Sequence, residues 1–242
     1  MTVIRQRPSE TMQQQVYFVT GTDTGAGKTF CTAAMLQAAA QAGRRSIGFK
    51  PVASGADGSG TNTDVAVLQA ASTVRLPYAL HNIYTFAEAT APHLAAADAG
   101  VSIEAAALSR GLAAIKQHGD FVLVEGAGGW LTPLCAQTDF AGWVAAERLA
   151  VILVVGLKLG CINHALLTAQ AVRHTGLPLA GWVANCLSAQ PHRFADYLAA
   201  LRARISAPLL GVMPFLPQAG AEDAAAYVDI SALLPASDAV GR

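Results

Sequence analysis

The chain has 242 residues, of which 53% are hydrophobic and 13% charged, and its mean hydropathy is +0.38. This composition supports a sizeable buried core and excludes an intrinsically disordered protein. Sixteen basic residues balance sixteen acidic ones, which argues against a dedicated nucleic-acid-binding protein. The longest apolar runs, such as Leu149–Leu157, are too short for a helix that spans a membrane.

The polar segment 1–15 has no apolar stretch of the kind found in secretory signals, so we expect a disordered leader there. The four cysteines, Cys31, Cys135, Cys161 and Cys186, have neither the spacing of a zinc site nor that of a disulfide framework. They are typical of reduced thiols in a cytoplasmic protein.

The predicted elements begin with the strand Val16–Thr20, a glycine-rich turn and the helix Thr29–Ala42. Residues 51–62 are predicted to form a loop and residues 72–101 an irregular segment. The remaining strands are Ser46–Lys50, Asp120–Val124, Ala150–Val155, Leu179–Ala184 and Leu209–Met213, and the remaining helices are Thr63–Ala71, Ser102–His118, Asp139–Arg148, Ile162–Thr175 and Pro191–Ile205.

Strands alternate with helices in this series, and several strands are unbroken apolar runs. The pattern predicts an α/β fold with a mostly parallel central sheet, flanked by helices on both faces in three layers. No repeat or linker is found, so residues 16–242 are expected to form a single domain. Because ligands of open α/β sheets bind beyond the carboxyl ends of the strands, residues at those ends are the candidates for chemistry.

The segment Gly21–Thr29 (GTDTGAGKT) follows the first predicted strand and opens the first helix, which is the context of a phosphate-binding loop. In such a loop backbone N–H groups surround the phosphates, Lys28 reaches the β- and γ-phosphates, and the Thr29 hydroxyl ligates Mg²⁺. Five residues rather than four separate Gly21 from Gly27, which leaves open the alternative of a plain glycine-rich turn. The sequence therefore predicts a P-loop NTPase-like domain that binds a nucleotide.

Two charged residues end predicted strands. Glu125 follows the apolar run DFVLV, where phosphate-loop proteins carry an acidic Mg²⁺ ligand, although a solvated carboxylate is the alternative. Lys50 lies beside the phosphate loop if the first two strands are neighbours, and its ammonium can then stabilise a transferring phosphoryl group. The alternative is an edge lysine that extends to solvent. Asp64 opens a predicted helix, so a role as N-cap explains it as well as a role in a site.

Taken together, these residues resemble the ATP-dependent dethiobiotin synthetase family of biotin biosynthesis. The similarity extends from about Val16 to Leu234, and a phosphate loop with the longer spacing is a feature of that family. The segments that carry it are Tyr17–Thr29 (YFVTGTDTGAGKT), Phe49–Gly55 (FKPVASG), Asn62–Asp64 (NTD), Tyr84–His93 (YTFAEATAPH), Val122–Leu134 (VLVEGAGGWLTPL), Val151–Gln170 (VILVVGLKLGCINHALLTAQ) and Gly181–Asn185 (GWVAN).

The resemblance implies an enzyme that converts 7,8-diaminopelargonic acid, CO₂ and Mg-ATP to dethiobiotin, ADP and phosphate. One substrate amine captures CO₂ as a carbamate, ATP phosphorylates the carbamate, and the second amine closes the cyclic urea with loss of phosphate. It also implies a homodimer with a shared active site and no membrane or nucleic-acid partner. In that dimer one subunit holds the carboxylate tail of the substrate in its partner's site, through Gly160, Cys161, Ile162 and Asn163.

The resemblance further implies roles for individual residues. The catalytic residues are Lys50, Lys28 and Thr24, with Ser54 at the substrate, and Mg²⁺ is held by Thr29, Asp64 and Glu125. The phosphates are contacted by Gly25, Ala26, Gly27, Lys28, Thr29, Phe30, Glu125, Gly126, Ala127 and Gly128, and the adenine by Asn185, Cys186, Pro214, Phe215 and Leu216.

Two other classes share the phosphate-loop pattern. Nucleotide switches of the chromosome-partition or septum-placement kind carry a signature lysine five residues before the loop lysine, where this chain has Asp23. They also need a basic or amphipathic surface, and the segment 223–242 has one arginine and no lysine. Amidation enzymes of cobalamin synthesis need a glutaminase domain, for which the predicted single domain leaves no room.

Overall fold

The computed structural model describes residues 14–189 and 193–235. Most of the predicted leader lies outside the described residues, but its last residue, Gln15, already belongs to a strand. The strands within these ranges are β1 (Gln15–Gly21), β2 (Ser46–Phe49), β3 (Val52–Ser54), β4 (Tyr84–Phe86), β5 (Phe121–Gly129), β6 (Ala150–Leu157), β7 (Leu179–Cys186) and β8 (Leu209–Met213).

Six of these strands form one sheet in the order β2-β5-β1-β6-β7-β8, and every neighbouring pair runs parallel. The phosphate loop therefore leaves β1 near the middle of the sheet, between the carboxyl ends of β5 and β6. The predicted α/β fold with a parallel central sheet is confirmed.

Helices cover both faces of the sheet. Among the described residues, none of them is long and apolar enough to cross a lipid bilayer. They are α1 (Lys28–Gln41), α2 (Thr63–Ala71), α3 (Tyr78–His81), α4 (Pro92–Asp98), α5 (Ala105–Lys116), α6 (Phe140–Ala146), α7 (Cys161–His174), α8 (Phe194–Arg202) and α9 (Ala221–Ala224), with 3₁₀ turns at Ala225–Tyr227 and Ser231–Leu233.

Alternate residues of the central strands enter hydrophobic cores on opposite faces of the sheet. In β1, Phe18 packs against Trp130, Phe140 and Trp143 on the face that α5 and α6 cover. Its neighbour Val19 lies in the core that α1 and α2 cover. Because successive side chains of a strand point to opposite faces, a strand that is buried on both must be apolar throughout. This explains the unbroken apolar runs.

The regions predicted as a loop and as irregular both contain secondary structure. β3 lies within 51–62 and pairs in parallel with β4, while α3, β4 and α4 lie within 72–101. This part of the prediction was wrong because elements of three to seven residues carry little periodicity, and the β3–β4 pairing joins segments that are distant in sequence.

Some predicted helix ends also differ from the structure. Ser102 does not cap α5, which follows Glu104, and Glu104 makes no side-chain capping bond. The chain before this helix is anchored instead by the buried side chain of Ile103, which local capping rules do not anticipate. The helix predicted at 191–205 corresponds to α8, which is shorter because it ends at Arg202. Its predicted start lies outside the described residues. The bounds of α2 and β8 match the prediction to the residue.

The prediction that Lys50 lies near the phosphate loop assumed the wrong neighbouring strand for β2. β1 and β2 are not adjacent, because β5 lies between them. In the β2–β5 register Phe49 pairs with Val124. The residues that follow this pair are Lys50 and Glu125, so the parallel register itself places the two charged side chains at the same edge of the sheet.

Candidate active site

The phosphate loop is held in shape by its neighbours at the end of the sheet. The Thr22 N–H donates to the Val154 carbonyl at 3.0 Å, and the Asn185 side chain donates to the Ala26 carbonyl at 2.9 Å. Gly27 has a φ of +87°, and a Cβ there would lie 2.0 Å from Nδ2 of Asn185. Only glycine fits this left-handed position, which brings the loop backbone against β7.

Helix α1 begins at Lys28 without a side-chain capping bond. An uncapped first turn leaves backbone N–H groups without acceptors, and the helix dipole adds partial positive charge at the same place. The loop and the helix start therefore form an anion-binding site that suits phosphate groups.

The Lys28 ammonium lies inside this anion-binding site. Its Nζ donates to the carbonyl of Gly128 at 2.7 Å and to that of Asp23 at 3.3 Å. Burial lowers the pKa of Lys28, and the Lys50 ammonium lowers it further, although nearby carboxylates partly oppose both effects. Within residues 14–189 and 193–235 no salt bridge joins Lys28 to a carboxylate. It is a cation whose environment favours an incoming anion.

Four polar side chains meet where β2 ends beside Glu125 in the middle of β5. Nζ of Lys50 lies 2.6 Å from Oε1 of Glu125 and 2.9 Å from Oδ2 of Asp64, and the Thr29 hydroxyl donates to the same Glu125 oxygen at 2.8 Å. Lys50 is 3% exposed and Glu125 is 0% exposed. The two alternatives, a lysine extending to solvent and a solvated carboxylate, are therefore wrong.

The charges in this group stabilise one another. Burial alone would lower the pKa of Lys50, but the carboxylates of Glu125 and Asp64 raise it above its ordinary value. Burial would likewise raise the pKa of Asp64, yet the Lys50 ammonium beside it holds that pKa below its usual range. Lys50 is therefore a charged ammonium and Asp64 a carboxylate at neutral pH.

Asp64 does not cap α2. Asn62 occupies that position, and its side-chain oxygen accepts from the backbone N–H groups of Asp64 at 3.0 Å and Val65 at 3.3 Å. Because the cap is supplied by Asn62, the Asp64 carboxylate is left to contact Lys50 at the mouth of the site. The N-cap interpretation of Asp64 is wrong.

The oxygen atoms of this site fit a magnesium ion. Oε2 of Glu125 is buried and has no hydrogen-bond partner within the described residues, so this carboxylate has unused capacity as an acceptor. The Thr29 hydroxyl and the Asp64 carboxylate lie around the same lysine and glutamate. Hydroxyl and carboxylate oxygens together with phosphate oxygens are the ligands that Mg²⁺ prefers.

A cleft of about 1130 Å³ joins these groups. Its walls include the predicted catalytic residues and, of the predicted substrate residues, Ser54. They also include segments to which the sequence analysis assigned no role, namely 89–92 and 129–133, and one side of α7. The predicted residues that line it are Thr24, Gly25, Gly27, Lys28, Thr29, Phe30, Lys50, Ser54, Asp64, Ala127 and Gly128.

The residues predicted to contact adenine lie beside this cleft rather than in its wall. Asn185 and Cys186 end β7, and both are largely buried. Pro214, Phe215 and Leu216 directly follow β8, and Phe215 is half-exposed. Asn185 connects this area to the phosphate loop through its bond to Ala26.

The turn predicted to serve the partner subunit does not line the cleft of its own chain. The Cys161 side chain is 1% exposed, and its N–H donates to the Lys158 carbonyl at 3.0 Å. By contrast, Asn163 is exposed, and no acceptor is found within the described residues for the backbone N–H of Ile162 or Asn163. The groups that this turn can offer to a second molecule are therefore those of Ile162 and Asn163, beside the capping residue Gly160.

An ion pair between Asp23 and Lys158 joins the phosphate loop to the end of β6. Sequence reasoning noted Asp23 only as the absence of a signature lysine. A carboxylate inside a phosphate-binding loop repels an anionic ligand unless a cation neutralises it. The presence of Asp23 in the loop could therefore have predicted that a basic side chain lies beside it.

Comparison with known proteins identifies the family of the chain. The profile of a family described as "AAA domain" matches residues 15–223. The ATP-dependent dethiobiotin synthetase BioD 1 of Escherichia coli (strain K12) is 52% identical over 222 residues, which cover 90% of this chain and 98% of that protein. The chain belongs to the ATP-dependent dethiobiotin synthetase family. The corresponding BioD 1 of Salmonella typhi is 53% identical over 90% of this chain and 97% of that protein, and BioD of Serratia marcescens is 56% identical over 77% and 84%.

Solved structures show the same fold at low sequence identity. MinD with Mg-ADP from Pyrococcus horikoshii OT3 matches with a TM-score of 0.52 and 16% identity, over 93% of this chain and 91% of that one. A ParA family ATPase from Chlorobium tepidum TLS matches with a TM-score of 0.51 and 15% identity, over 84% and 85%. These likenesses show the fold alone. Membership of the dethiobiotin synthetase family does not favour the alternative of a nucleotide switch.

Replacing Lys158 by methionine is expected to weaken ATP binding, because the Asp23 carboxylate is then unpaired beside the phosphates. We expect the Kd for ATP to rise about tenfold, equivalent to about 1.4 kcal/mol. The double variant Asp23→Asn/Lys158→Met should bind within about threefold of the wild type, since neither charge remains. Calorimetric titration at low ionic strength measures both. A double variant as weak as Lys158→Met would contradict the role of the pair.

Proposed function

We propose that the chain catalyses the Mg²⁺-dependent reaction of 7,8-diaminopelargonic acid, CO₂ and ATP to give dethiobiotin, ADP and phosphate. The observation that carries this proposal is the position of Lys50. Its buried ammonium lies in the same cleft as the phosphate loop, yet it does not belong to that loop. Nucleotide binding alone uses Lys28, whereas a second fixed cation suits a negatively charged group that reacts with the γ-phosphate.

The proposed chemistry balances without any further reactant. One amine of the substrate attacks CO₂ and, after losing a proton, is a carbamate. A carbamate oxygen attacks the γ-phosphorus of ATP, and ADP leaves. The product of that step is a carbamic–phosphoric mixed anhydride, an acyl phosphate. The nitrogen of the second amine attacks its carbonyl carbon and loses a proton, the C–O bond to phosphate breaks, and phosphate leaves as the urea ring closes.

The residues of the chain serve these steps by position and charge. Lys28 and the first turn of α1 bind the β- and γ-phosphates, and Lys50 stabilises negative charge on the carbamate and the transferring phosphoryl group. The hydroxyls of Thr24 and Ser54, which both line the cleft, orient the reacting groups. Trp130 and Pro92 in the cleft wall limit access of water to the labile acyl phosphate.

Magnesium and adenine complete the proposed nucleotide site. Thr29, Asp64 and Glu125 would hold Mg²⁺, which would supply charge neutralisation for the phosphates. The phosphates lie against residues 25–30 and 125–128. Asn185, Cys186 and residues 214–216 would contact the adenine, next to the loop that Asn185 holds.

We also propose a cytoplasmic homodimer in which each active site includes a turn of the partner. Leu159, just before α7, is 88% exposed, and Leu167, within α7 and in the cleft wall, is 57% exposed. Exposed apolar side chains of this kind can be covered by a second copy of the chain. In the dimer the turn Gly160–Asn163 holds the substrate carboxylate with the free N–H groups of Ile162 and Asn163. The four cysteines are free thiols, as expected in a reducing compartment.

Incorporation of labelled bicarbonate into an acid-stable product tests the proposed reaction. The product should form only when both 7,8-diaminopelargonic acid and Mg-ATP are present, with one ADP released for each label incorporated. ATP hydrolysis that DNA or lipid stimulates in the absence of the diamine would contradict the proposal and indicate a nucleotide switch.

Replacing Lys50 by glutamine is expected to lower kcat about a hundredfold or more, which corresponds to about 3 kcal/mol of transition-state stabilisation. The Kd for ATP should change by less than about threefold, because Lys28 and the phosphate loop remain. The matched control is Lys116→Gln at the far end of α5, which should retain wild-type kcat. A Lys50→Gln variant with normal kcat would remove Lys50 from the mechanism.

The Thr29 hydroxyl is a better probe of the metal site than Glu125, because loss of Glu125 would also remove the nearer of the two carboxylate partners of the buried Lys50. Thr29→Val keeps the side-chain shape but removes the oxygen, so half-maximal activity should require about tenfold more Mg²⁺. Thr29→Ser keeps the hydroxyl and should retain the wild-type requirement. The measurement is a Mg²⁺ titration at saturating ATP, and equal titrations for the valine and serine variants would exclude Thr29 as a ligand.

Mixed dimers test the shared active site. Asn163→Asp places a carboxylate in the first turn of α7, where it does not harm the helix but repels the substrate carboxylate of the partner site. When it is mixed with Lys50→Gln, random association gives about half mixed dimers, each with one intact site, so about a quarter of wild-type activity should return. If the mixture stays as inactive as its parents while the chains demonstrably exchange, the site is built within one chain.

A further inference from the structure

We propose that His81 and Asn82 are positioning residues that fix the backbone at Lys50 and so hold its ammonium between Glu125 and Asp64. The proposal rests on the proposed function, because Lys50 is taken to be the active-site lysine. Neither His81 nor Asn82 lines the cleft, and sequence reasoning assigned neither of them to the site.

The outer edge of β2 requires partners that are not supplied by a strand. β2 is the first strand of the sheet and pairs on one side with β5, so its outward N–H and C=O groups would otherwise be left unpaired. Near the start of β2 the edge is satisfied by side chains. Thr73 Oγ1 accepts from the Ser46 N–H at 2.8 Å, and Ser72 Oγ accepts from the Gly48 N–H at 3.0 Å.

His81 satisfies this edge immediately before the active-site lysine. Its Nδ1 lies 2.7 Å from the Gly48 carbonyl oxygen, and its own carbonyl accepts from the Lys50 N–H at 2.8 Å. A carbonyl can only accept, so Nδ1 carries the proton. Nε2 is buried without a partner in the described part of the chain, and burial lowers the pKa of the imidazole, against a smaller opposite effect of the bond to Gly48. The neutral ring therefore acts as a fixed donor.

Asn82 satisfies the last carbonyl group before the chain turns. Its Nδ2 donates to the Lys50 carbonyl at 2.7 Å and to the Tyr84 carbonyl at 3.0 Å, while its Oδ1 accepts from the Thr85 hydroxyl at 2.6 Å. Pro51 follows Lys50 and has no N–H to donate, while its carbonyl accepts from the N–H groups of Ile83 and Tyr84 at 3.1 and 3.0 Å. At Lys50 itself, the side chain of Asn82 supplies the donor that a neighbouring strand would supply.

This arrangement fixes the point from which the lysine side chain extends. His81 is 0% exposed and Asn82 is 7% exposed. Because both side chains are buried, water does not readily replace their hydrogen bonds. A displacement of about 1 Å in a positioned group can reduce the rate of a reaction about a hundredfold. Loss of either contact should therefore lower kcat through Lys50, while the phosphate loop and its affinity for ATP are unaffected.

The variants are paired so that each loss has a matched control. Asn82→Ala removes the donor to the Lys50 carbonyl, whereas Thr85→Val removes only the hydroxyl that contacts the other end of the Asn82 amide. His81→Leu removes the ring donor to Gly48, whereas His81→Asn keeps a side-chain N–H at a similar distance from the backbone. Each variant is compared with the wild-type enzyme in kcat, in the Kd for ATP, and in the rate at which an acetylating reagent modifies Lys50, with Lys116 as the internal reference by mass spectrometry.

We expect Asn82→Ala and His81→Leu to lower kcat about tenfold or more, to leave the Kd for ATP within about twofold, and to increase acetylation of Lys50 relative to Lys116. Thr85→Val and His81→Asn should stay within about threefold of the wild type in kcat. Unchanged Lys50 acetylation in Asn82→Ala, or a parallel loss of ATP affinity and kcat, would overturn the proposal. If His81→Leu does not fold, the comparison of Asn82→Ala with Thr85→Val decides it. Nucleotide binding and acetylation do not depend on the reaction, so a wild type that makes no dethiobiotin contradicts the proposed function alone.

Discussion

The buried Lys50 ammonium and the buried Glu125 carboxylate lie 2.6 Å apart, where β2 ends beside the middle of β5. Burying either charge alone would cost several kcal/mol, so each side chain requires the other in the folded protein. The parallel register that pairs Phe49 with Val124 brings Lys50 and Glu125 to the same place. A change of one residue in that register would separate this pair and leave the buried Glu125 carboxylate without its cation, which links the architecture of the sheet edge to the chemistry of the site.

The charges around this pair suit two anionic groups, a phosphate at Lys28 and a second group at Lys50. Lys50 is balanced by Glu125 and Asp64, and Asp23 is balanced by Lys158. Within the described residues, the Lys28 ammonium donates hydrogen bonds only to carbonyl oxygens. Its charge is therefore available to a phosphate. The site therefore holds one uncompensated cation in the loop, next to a second cation that its own carboxylates keep charged and fixed.

The sequence predicts the fold well, and it points to Lys28, Lys50 and Glu125 as neighbours at one end of the sheet, because both predictions follow from local patterns. Apolar runs that end in Glu125 or Lys50 indicate buried strands with functional residues at their carboxyl ends. Pairings between distant segments are not visible locally, which is why the insertion of β5 between β1 and β2 and the short β3–β4 pairing were missed. The contact of Lys158 with Asp23 belongs to the same class, because it depends on the order of strands in the sheet.

Edge strands are normally protected from association by charge, by bulges or by covering segments. Here the cover over β2 is made of Ser72, Thr73, His81 and Asn82, whose polar atoms replace a strand partner residue by residue. Beyond Lys50 the same segment continues with backbone pairing, because the N–H groups of Ile83 and Tyr84 donate to the Pro51 carbonyl at 3.1 and 3.0 Å and β4 then pairs with β3. The side chains of His81 and Asn82 therefore bridge the stretch between the edge of β2 and the β3–β4 pair, and Lys50 lies in that stretch, where its backbone is held on both sides.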